Sequence, residues 1–124
     1  MGMLHNNQER HDCTIAVGES VSSSIRIDGI GPRGLAVLVP STWTAANIGF
    51  EVSVDDATFI PVWNQGQPVK ITDIPVNRAI LHTAPAEVWP MGTFPYMRLV
   101  SLDVSDNSAE VQAGARTLTV CMAG

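Results

Sequence analysis

Apolar and polar residues alternate along most of the chain from Cys13 onward, with the period of two that is typical of half-buried β-strands. The clearest case is the segment 48–55, where the pattern predicts one inward-facing set of residues and one outward-facing set. The inward set is Ile48, Phe50, Val52 and Val54, and the outward set is Glu51, Ser53 and Asp55. A tight turn at 55–57 leads into a second apolar segment, 58–64, so 48–64 is predicted to form a hairpin. Pro61 places the second strand at a sheet edge or beside a bulge, because proline cannot donate a ladder hydrogen bond.

Further short strands are predicted on both sides of this hairpin. They cover 13–17, 21–28, 35–40, 68–76, 78–83, 96–104 and 115–122, with a further short strand at 109–113. The segment 35–40 is apolar throughout, which predicts a central strand covered on both faces. The segment 41–47 is the one candidate for a short helical turn. With turn signals every 8–12 residues, the sequence predicts an all-β fold: an antiparallel β-sandwich or jelly roll of about eight strands, in one domain over 13–124.

Residues 1–12 show no period, and Met1, Met3 and Leu4 are their only apolar members. The pattern predicts a flexible, extended N-terminal arm that a partner could order, with Met1, Met3 and Leu4 as the apolar anchors. The same residues lack the apolar middle of a signal peptide. We therefore expect the protein to be made in a cytoplasm and to stay there unless a larger assembly carries it out.

Composition narrows the range of partners. Hydrophobic residues make up 45% of the chain and charged residues 15%, which argues against a disordered protein. The net charge is -5, and the 7 basic residues are scattered singly rather than clustered. Binding to phosphates needs clustered Lys and Arg, so we expect neither nucleic acid nor an anionic membrane as a partner. No segment approaches the roughly 20 apolar residues of a membrane span.

The residues that carry chemistry do not form a recognisable catalytic set. His5 and His11 lie in the predicted arm, His82 lies on an apolar strand, and no serine sits in a Gly-x-Ser-x-Gly elbow. His11, Asp12 and Cys13 are adjacent, and on a strand their side chains would alternate between faces and could not converge on zinc. We therefore expect no enzyme activity and no cofactor.

Two acidic turns are candidate calcium sites: Asp55 with Asp56, and Asp103 with Asp106 and Asn107. Each supplies two or three side chains where calcium takes six to eight oxygens, so plain turns are favoured and no metal is expected. The two cysteines are predicted to face opposite ways, Cys13 inward and Cys121 on the face of Thr117 and Thr119. Two thiols are therefore favoured over a disulfide.

The aromatic residues are the strongest candidates for binding. Phe50 and Phe59 have the positions of core residues, whereas Trp43, Trp63, Trp89, Phe94 and Tyr96 fall at strand ends or in the proline-rich segment 84–95. Such residues could stack on sugars, anchor a protein interface, or close the ends of the sandwich. The candidate partner-binding residues, together with those of the arm, are Met3, Leu4, Trp63, Trp89, Met91 and Phe94.

Three stretches carry a resemblance to a known group of proteins: 35–63, which includes Trp43-Thr44-Ala45-Ala46 and the hairpin from Phe50 to Phe59; 94–103, which includes Tyr96-Met97-Arg98-Leu99; and 115–122. The pattern resembles small β-sandwich proteins encoded among the structural genes of tailed bacteriophages. The hairpin and the Arg-Leu strand are also similar to parts of galactose-binding-like, discoidin-type jelly rolls. Asp56 stands where the phage pattern has glycine.

This resemblance implies a structural component of the virion, and a capsid decoration or cement protein in particular. Its expected partners are the major capsid protein or other virion subunits, and copies of itself, with a homotrimer favoured. Its location would be the virion, assembled in the host cytoplasm. The alternative is a carbohydrate-binding module or tail-associated adhesin that uses its loop aromatics.

Overall fold

The computed structural model describes residues 8–27, 34–85 and 94–123. Within these ranges the chain forms eleven strands and no helix. The strands are β1 (Gln8–Ile15), β2 (Ile25–Arg26), β3 (Gly34–Val39), β4 (Asn47–Ser53), β5 (Ile60–Pro61), β6 (Trp63–Asn64), β7 (Gln67–Pro68), β8 (Lys70–Ile71), β9 (Ile80–Thr83), β10 (Tyr96–Leu102) and β11 (Arg116–Ala123).

Two antiparallel sheets hold nearly all of these strands. The first sheet has the order β1-β11-β3-β9, and the second has the order β2-β10-β4-β5 with β8 also paired to β4. A separate two-stranded hairpin joins β6 and β7. Every strand pair is antiparallel, so the predicted all-β sandwich is confirmed.

The core consists of alternate residues from both sheets. Side chains of β1, β3 and β11 come from one layer and those of β4 and β10 from the other, with Ile71 from β8. The buried set includes Ile15, Val37, Leu118, Val120, Ile48, Phe50, Val52, Met97 and Leu99. Burying a side chain of this size contributes about 1.5–3 kcal/mol. The period-two pattern therefore identified most inward-facing positions correctly.

The predicted hairpin is present but short, because only Glu51 with Pro61 and Val52 with Ile60 pair as strand partners. Pro61 lies in the edge strand β5, as predicted. Asp56 has a φ of 60°, in the left-handed region that glycine favours. The prediction was wrong for Val54, which is 71% exposed, and for Ser53, which is buried. The chain turns at this point, and the Ser53 hydroxyl accepts hydrogen bonds from the N–H groups of Asp55 and Asp56.

Three other predictions need correction. Phe59 is half-buried instead of lying in the core, because its ring stacks under the guanidinium of Arg98 on the outer face, 4.2 Å from the ring centre. The strand 35–40 is central but covered on one face only, since Leu38 is 42% exposed. In the segment 41–47, residues 41–46 make a non-helical turn and Asn47 begins β4; within the turn the buried Trp43 donates its indole N–H to the carbonyl of Ala46.

Several predicted strands are shorter than the sequence pattern indicated. The segment 109–113 contributes one isolated bridge, between Ala109 and Leu102. In the segment 21–28, the described residues 21–27 form β2 and isolated bridges, and the segment 68–76 forms only the end of β7 and all of β8.

The predicted arm is wrong for residues 8–12. They form the first part of β1, which pairs with β11 from Gln8 opposite Ala123 to Ile15 opposite Arg116. Polar residues are tolerated there because β1 is an edge strand and its ladder needs only the backbone. Residues 1–7, with Met3 and Leu4, lie outside the described part of the chain.

The register of β1 and β11 also explains the cysteines. Cys13 lies opposite Leu118 and is buried, whereas Cys121 lies opposite Arg10 on the other face and is half-buried. Both are free thiols, as predicted. Burial raises the pKa of the Cys13 thiol to about 11.

Candidate binding groove on the second sheet

A groove of about 340 Å³ crosses the outer face of the second sheet. Its floor is formed by Gly49 of β4 with Val100 and Leu102 of β10, which all project away from the core. Trp63, Pro61 and Pro68 line it as well, and so do Ser20, Val21, Glu51, Asn107 and Ala109. The groove is therefore mainly apolar, with a few polar groups, which is the usual composition of a small binding site.

The groove has room at its floor because Gly49 has no side chain. A Cβ atom built on Gly49 would lie 2.7 Å from Cδ1 of Leu102, closer than real Cβ contacts allow. A side chain here would displace Leu102 and occupy the groove. A glycine inside a strand often marks such a close approach.

Trp63 is the most prominent side chain of the groove, since it is 57% exposed. It lies in β6, directly opposite Pro68 of β7. Gln65 and Gly66 join these strands with φ values of 55° and 82°, the left-handed pair found in two-residue hairpin turns. The N–H of Val69 also donates to the carbonyl of Val62 at 3.0 Å, so backbone hydrogen bonds fix the position of Trp63.

The polar residues near the groove are held in internal pairs. Arg98 Nε donates to Glu51 Oε1 at 2.7 Å, and the same guanidinium stacks on Phe59. Lys70 Nζ donates to Asn107 Oδ1 at 2.7 Å. A ligand would therefore meet oriented carboxylate and amide groups beside an apolar floor.

A second depression, of about 430 Å³, lies beside the outer face of the first sheet. Ala36, Leu81, Thr83 and Cys121 line it, together with Arg10 at the edge of the sheet. It is bordered at Gly34 and Ala84, where the chain runs on towards residues outside the described ranges. The groove with Trp63 has no such border, and so it is the better defined site.

The structure places only some of the predicted binding residues. Trp63 lies in the groove, whereas Phe94 is half-buried and packs against the core. Met3, Leu4, Trp89 and Met91 belong to the residues that the structure does not describe. Sequence reasoning missed Gly49 and Pro68 and considered Asn107 only as part of an acidic turn; of the three, Gly49 alone carried a signal for the groove, as a glycine between apolar strand residues.

The carboxylates of the acidic turns accept hydrogen bonds from backbone N–H groups of the same turns. The carboxylate of Asp103 accepts hydrogen bonds from the Ser105 hydroxyl, the Ser105 N–H and the Asp106 N–H, which together lower its pKa to about 2. The N–H groups of Thr58 and Ala57 lower the pKa of Asp55 in the same way. Among the residues with described positions, no group of three or more His, Cys, Asp or Glu side chains could hold a metal ion.

His82 is on β9, where its Nδ1 lies 3.0 Å from the carbonyl oxygen of Thr83. In the three described ranges, no helix is long and apolar enough to cross a bilayer.

Comparison with known proteins gives little. No protein-family model matches the chain, and no curated protein matches it either. Among solved structures, the fold is similar to the crystal structure of SPBc2 prophage-derived protein YomS, with a TM-score of 0.49 and 13% sequence identity. That match covers 99% of this chain and 100% of the other. A likeness this distant carries no argument about function.

Proposed function

We propose that this chain is a structural subunit of a tailed-phage virion, of the capsid decoration or cement type, that works by contact and not by catalysis. Its partners would be the major capsid protein or other virion subunits, and further copies of itself, with a trimer as the expected oligomer. The resemblance of its strand pattern to phage structural proteins is one support. The second support is the exposed apolar surface on the outer face of the first sheet.

The observation that carries the proposal is the pair of large apolar side chains on the outer face of the first sheet. Leu38 of β3 and Leu81 of β9 are cross-strand partners, 42% and 57% exposed. They lie next to each other, with Ala36 and Cys121 on the same face. Contiguous exposed apolar surface on a small domain commonly marks a contact site. A decoration protein needs such a surface, and a net charge of -5 with few charged residues suits it.

Mass spectrometry of purified virions with copy-number determination tests this proposal. We expect the protein in the particle at a copy number comparable to that of the capsid subunits. A copy number of only a few per particle would move it to the tail, and its absence from purified virions would refute the proposal.

A matched pair of variants tests the surface itself. Leu81→Ser should lower the occupancy of the protein on capsids, because it removes half of the apolar pair. Val111→Ser is the control, since Val111 is 54% exposed and lies in the loop between β10 and β11. Equal occupancy for both variants would rule out the Leu38–Leu81 surface as the capsid contact.

The groove supports a second candidate function, carbohydrate binding. An exposed tryptophan beside a polar carboxylate and an amide is an arrangement that can stack on the apolar face of a sugar ring and bond to its hydroxyls. Titration with a panel of neutral oligosaccharides, followed by calorimetry, tests it. Binding that is lost in Trp63→Ala and retained in Leu81→Ser would favour this function, and no binding by the wild type would dismiss it.

A further inference from the structure

Asn47 is a buried polar residue whose amide is not hydrogen-bonded within the described ranges. Polar side chains are buried at five described positions, and four of them are hydrogen-bonded to other groups of the protein: Ser22, Ser53, Ser101 and Gln112. Asn47 is 5% exposed, and its side chain makes no hydrogen bond to any residue that the structure describes. Burying an amide without a partner has a cost in free energy, so this residue calls for an explanation.

The amide of Asn47 opens into a depression of about 300 Å³. Among the described residues, every wholly buried polar side-chain atom has a hydrogen-bond partner, so both atoms of the unpaired amide reach the surface. They do so on the outer face of the second sheet, because Asn47 precedes the inward-facing Ile48 on β4 and pairs with Leu102 of β10. The depression therefore offers N–H donors and a carbonyl acceptor on one fixed side chain.

Polar and apolar residues line this depression in equal number. The described lining residues are Asn47, Lys70, Thr72 and Asp73, which are polar, and Ala45, Ala46, Ile74 and Val104, which are apolar. The charges of Lys70 and Asp73 are opposite, so the site favours a neutral ligand over an anion or a cation. Its volume is at the lower end of the range for small-molecule sites, which suits a single sugar unit.

The depression is a neighbour of the groove that contains Trp63. Lys70 Nζ donates to Asn107 Oδ1 at 2.7 Å, and this pair stands between the two, since Lys70 lines the depression and Asn107 lines the groove. Gly49, at the floor of the groove, lies two residues after Asn47 on β4 and therefore on the same face, about 7 Å away. A glycan of a few units is long enough to contact both.

We propose that the depression at Asn47 binds an N-acetylated hexosamine unit of a neutral glycan. In such a sugar the acetamido N–H and a hydroxyl group are on adjacent ring carbons. The N–H is a donor for Asn47 Oδ1, and the hydroxyl oxygen is an acceptor for Asn47 Nδ2. The acetamido methyl group packs against the apolar wall that Ala45 and Val104 form, and the other hydroxyl groups meet Thr72 and Asp73.

This inference rests on the second candidate function, carbohydrate binding, and assigns to it a further site and a class of sugar. It does not depend on a role in the virion, because binding is measured on the purified protein. The absence of the protein from virions would therefore leave the inference untouched, and a protein that does not bind the sugar could still be a virion subunit.

Titration of the ¹⁵N-labelled protein with N-acetylglucosamine and with N-acetylgalactosamine, followed by ¹H–¹⁵N NMR, tests the site. The side-chain amide signals of Asn47 report on the depression, and the indole N–H signal of Trp63 reports on the groove. We expect saturable shifts of the Asn47 signals, and of the backbone signals of Thr72 and Val104, with at least one of the two sugars. No shift of the Asn47 signals with either sugar overturns the inference.

Two further ligands test the sugar class. Glucose lacks the acetamido group, and N-acetylglycinamide has an acetamido group but no sugar hydroxyls. We expect each to bind at least about threefold more weakly than the better N-acetylated sugar, because glucose forgoes the burial of one methyl group and N-acetylglycinamide forgoes the hydroxyl contacts. Equal binding of glucose would overturn the choice of an N-acetylated sugar. Equal binding of N-acetylglycinamide would instead make this a site for a peptide.

Asn47→Ala should raise the dissociation constant about tenfold or more, and it should leave the melting temperature nearly unchanged, because the amide has no partner among the described residues. Asn64→Ala is the matched control, since Asn64 is exposed and does not line the depression. Trp63→Ala should retain binding of the single sugar at Asn47. Shifts confined to the Trp63 signal and lost in Trp63→Ala would overturn the inference and leave the carbohydrate-binding candidate standing. If Asn47→Ala does not fold, the titration of the wild type decides by itself.

Discussion

Replacing Phe50 with alanine tests the sandwich at its centre. Phe50 is 2% exposed and lies on β4 between Ile48 and Val52, opposite Leu99 of β10. Its ring belongs to the buried cluster that joins the two sheets. Truncation to alanine removes the ring from this cluster and leaves a cavity among side chains that cannot all move to fill it.

The expected magnitude has two parts. Replacing a fully buried phenylalanine with alanine loses about 1.5–3 kcal/mol of transfer free energy. The residual cavity adds about 24 cal/mol for each Å³ left unfilled, so an unfilled volume of about 60 Å³ adds about 1.5 kcal/mol. Together these give a loss of about 3–5 kcal/mol in the free energy of unfolding.

Phe59→Ala is the matched control, because it makes the same chemical change at a half-buried site. The ring of Phe59 contacts Arg98 on the outer face, and a cation–π contact at an exposed site contributes about 0.5–1 kcal/mol. Part of the Phe59 ring is already exposed in the folded state, so less apolar burial is lost than at Phe50. We expect Phe59→Ala to lower the free energy of unfolding by about 1–2 kcal/mol.

Urea denaturation followed by circular dichroism measures both variants against the wild type. If Phe50→Ala proves too unstable to give a folded baseline, Phe50→Leu supplies a smaller and measurable loss, since it retains most of the apolar volume. Equal losses for Phe50→Ala and Phe59→Ala would contradict the assignment of Phe50 to the core. A loss below about 1 kcal/mol for Phe50→Ala would refute the packing argument altogether.

Further predictions concern metal, pH, thiols and the N-terminal segment. A chelator should leave the melting temperature unchanged, and a drop of several degrees would point to a metal site. The pKa of Asp103 is lowered in the folded state from its usual 3.8 to about 2, so its stabilising contribution is present above pH 3.8 and is lost as the pH falls through about 2. Asp103→Asn should therefore flatten the dependence of stability on pH between 4 and 2, and an unchanged slope would contradict this. Near pH 8 a thiol reagent should label Cys121 and spare the buried Cys13. Labelling of the folded Cys121→Ser variant, which retains only Cys13, would be inconsistent with the burial of Cys13. Deleting residues 1–7 should leave the melting curve nearly unchanged. Deleting residues 1–11 removes half of the β1–β11 pairs and should lower the free energy of unfolding by about 2 kcal/mol or more. Equal melting curves for the two truncations would argue against the pairing of β1 with β11.

The sequence predicted the fold because the strand period is a local property. Ile48, Phe50 and Val52 alternate with polar residues, and a sheet with one solvated face turns that alternation directly into burial. The same pattern failed at Val54, where the Ser53 hydroxyl bonds the turn and the strand ends one residue early. The alternation cannot show where a strand stops being paired.

The strand β1 was missed at its start for a different reason. Arg10, Asp12 and their neighbours are polar on both faces, so no hydrophobic period marks the segment 8–12. An edge strand is held by backbone hydrogen bonds to one neighbour, and these do not depend on side-chain type. The candidate groove was equally invisible in the sequence, because Gly49, Trp63, Val100 and Asn107 are far apart in the chain and meet only when the second sheet forms.

The prediction for the strand 35–40 went wrong in a way that bears on function. An apolar run with no alternation indicates a strand covered on both faces, yet in the single chain Leu38 faces outward beside Leu81. Leaving apolar side chains exposed on a sheet face has a cost in water and favours association. A covering partner would satisfy the original pattern, since the strand would then be buried on both faces in the assembled state. The sequence pattern predicts burial of both faces of this strand, whereas the single chain buries one. This difference is an argument for a contact on the first sheet, which the occupancy of Leu81→Ser on capsids tests.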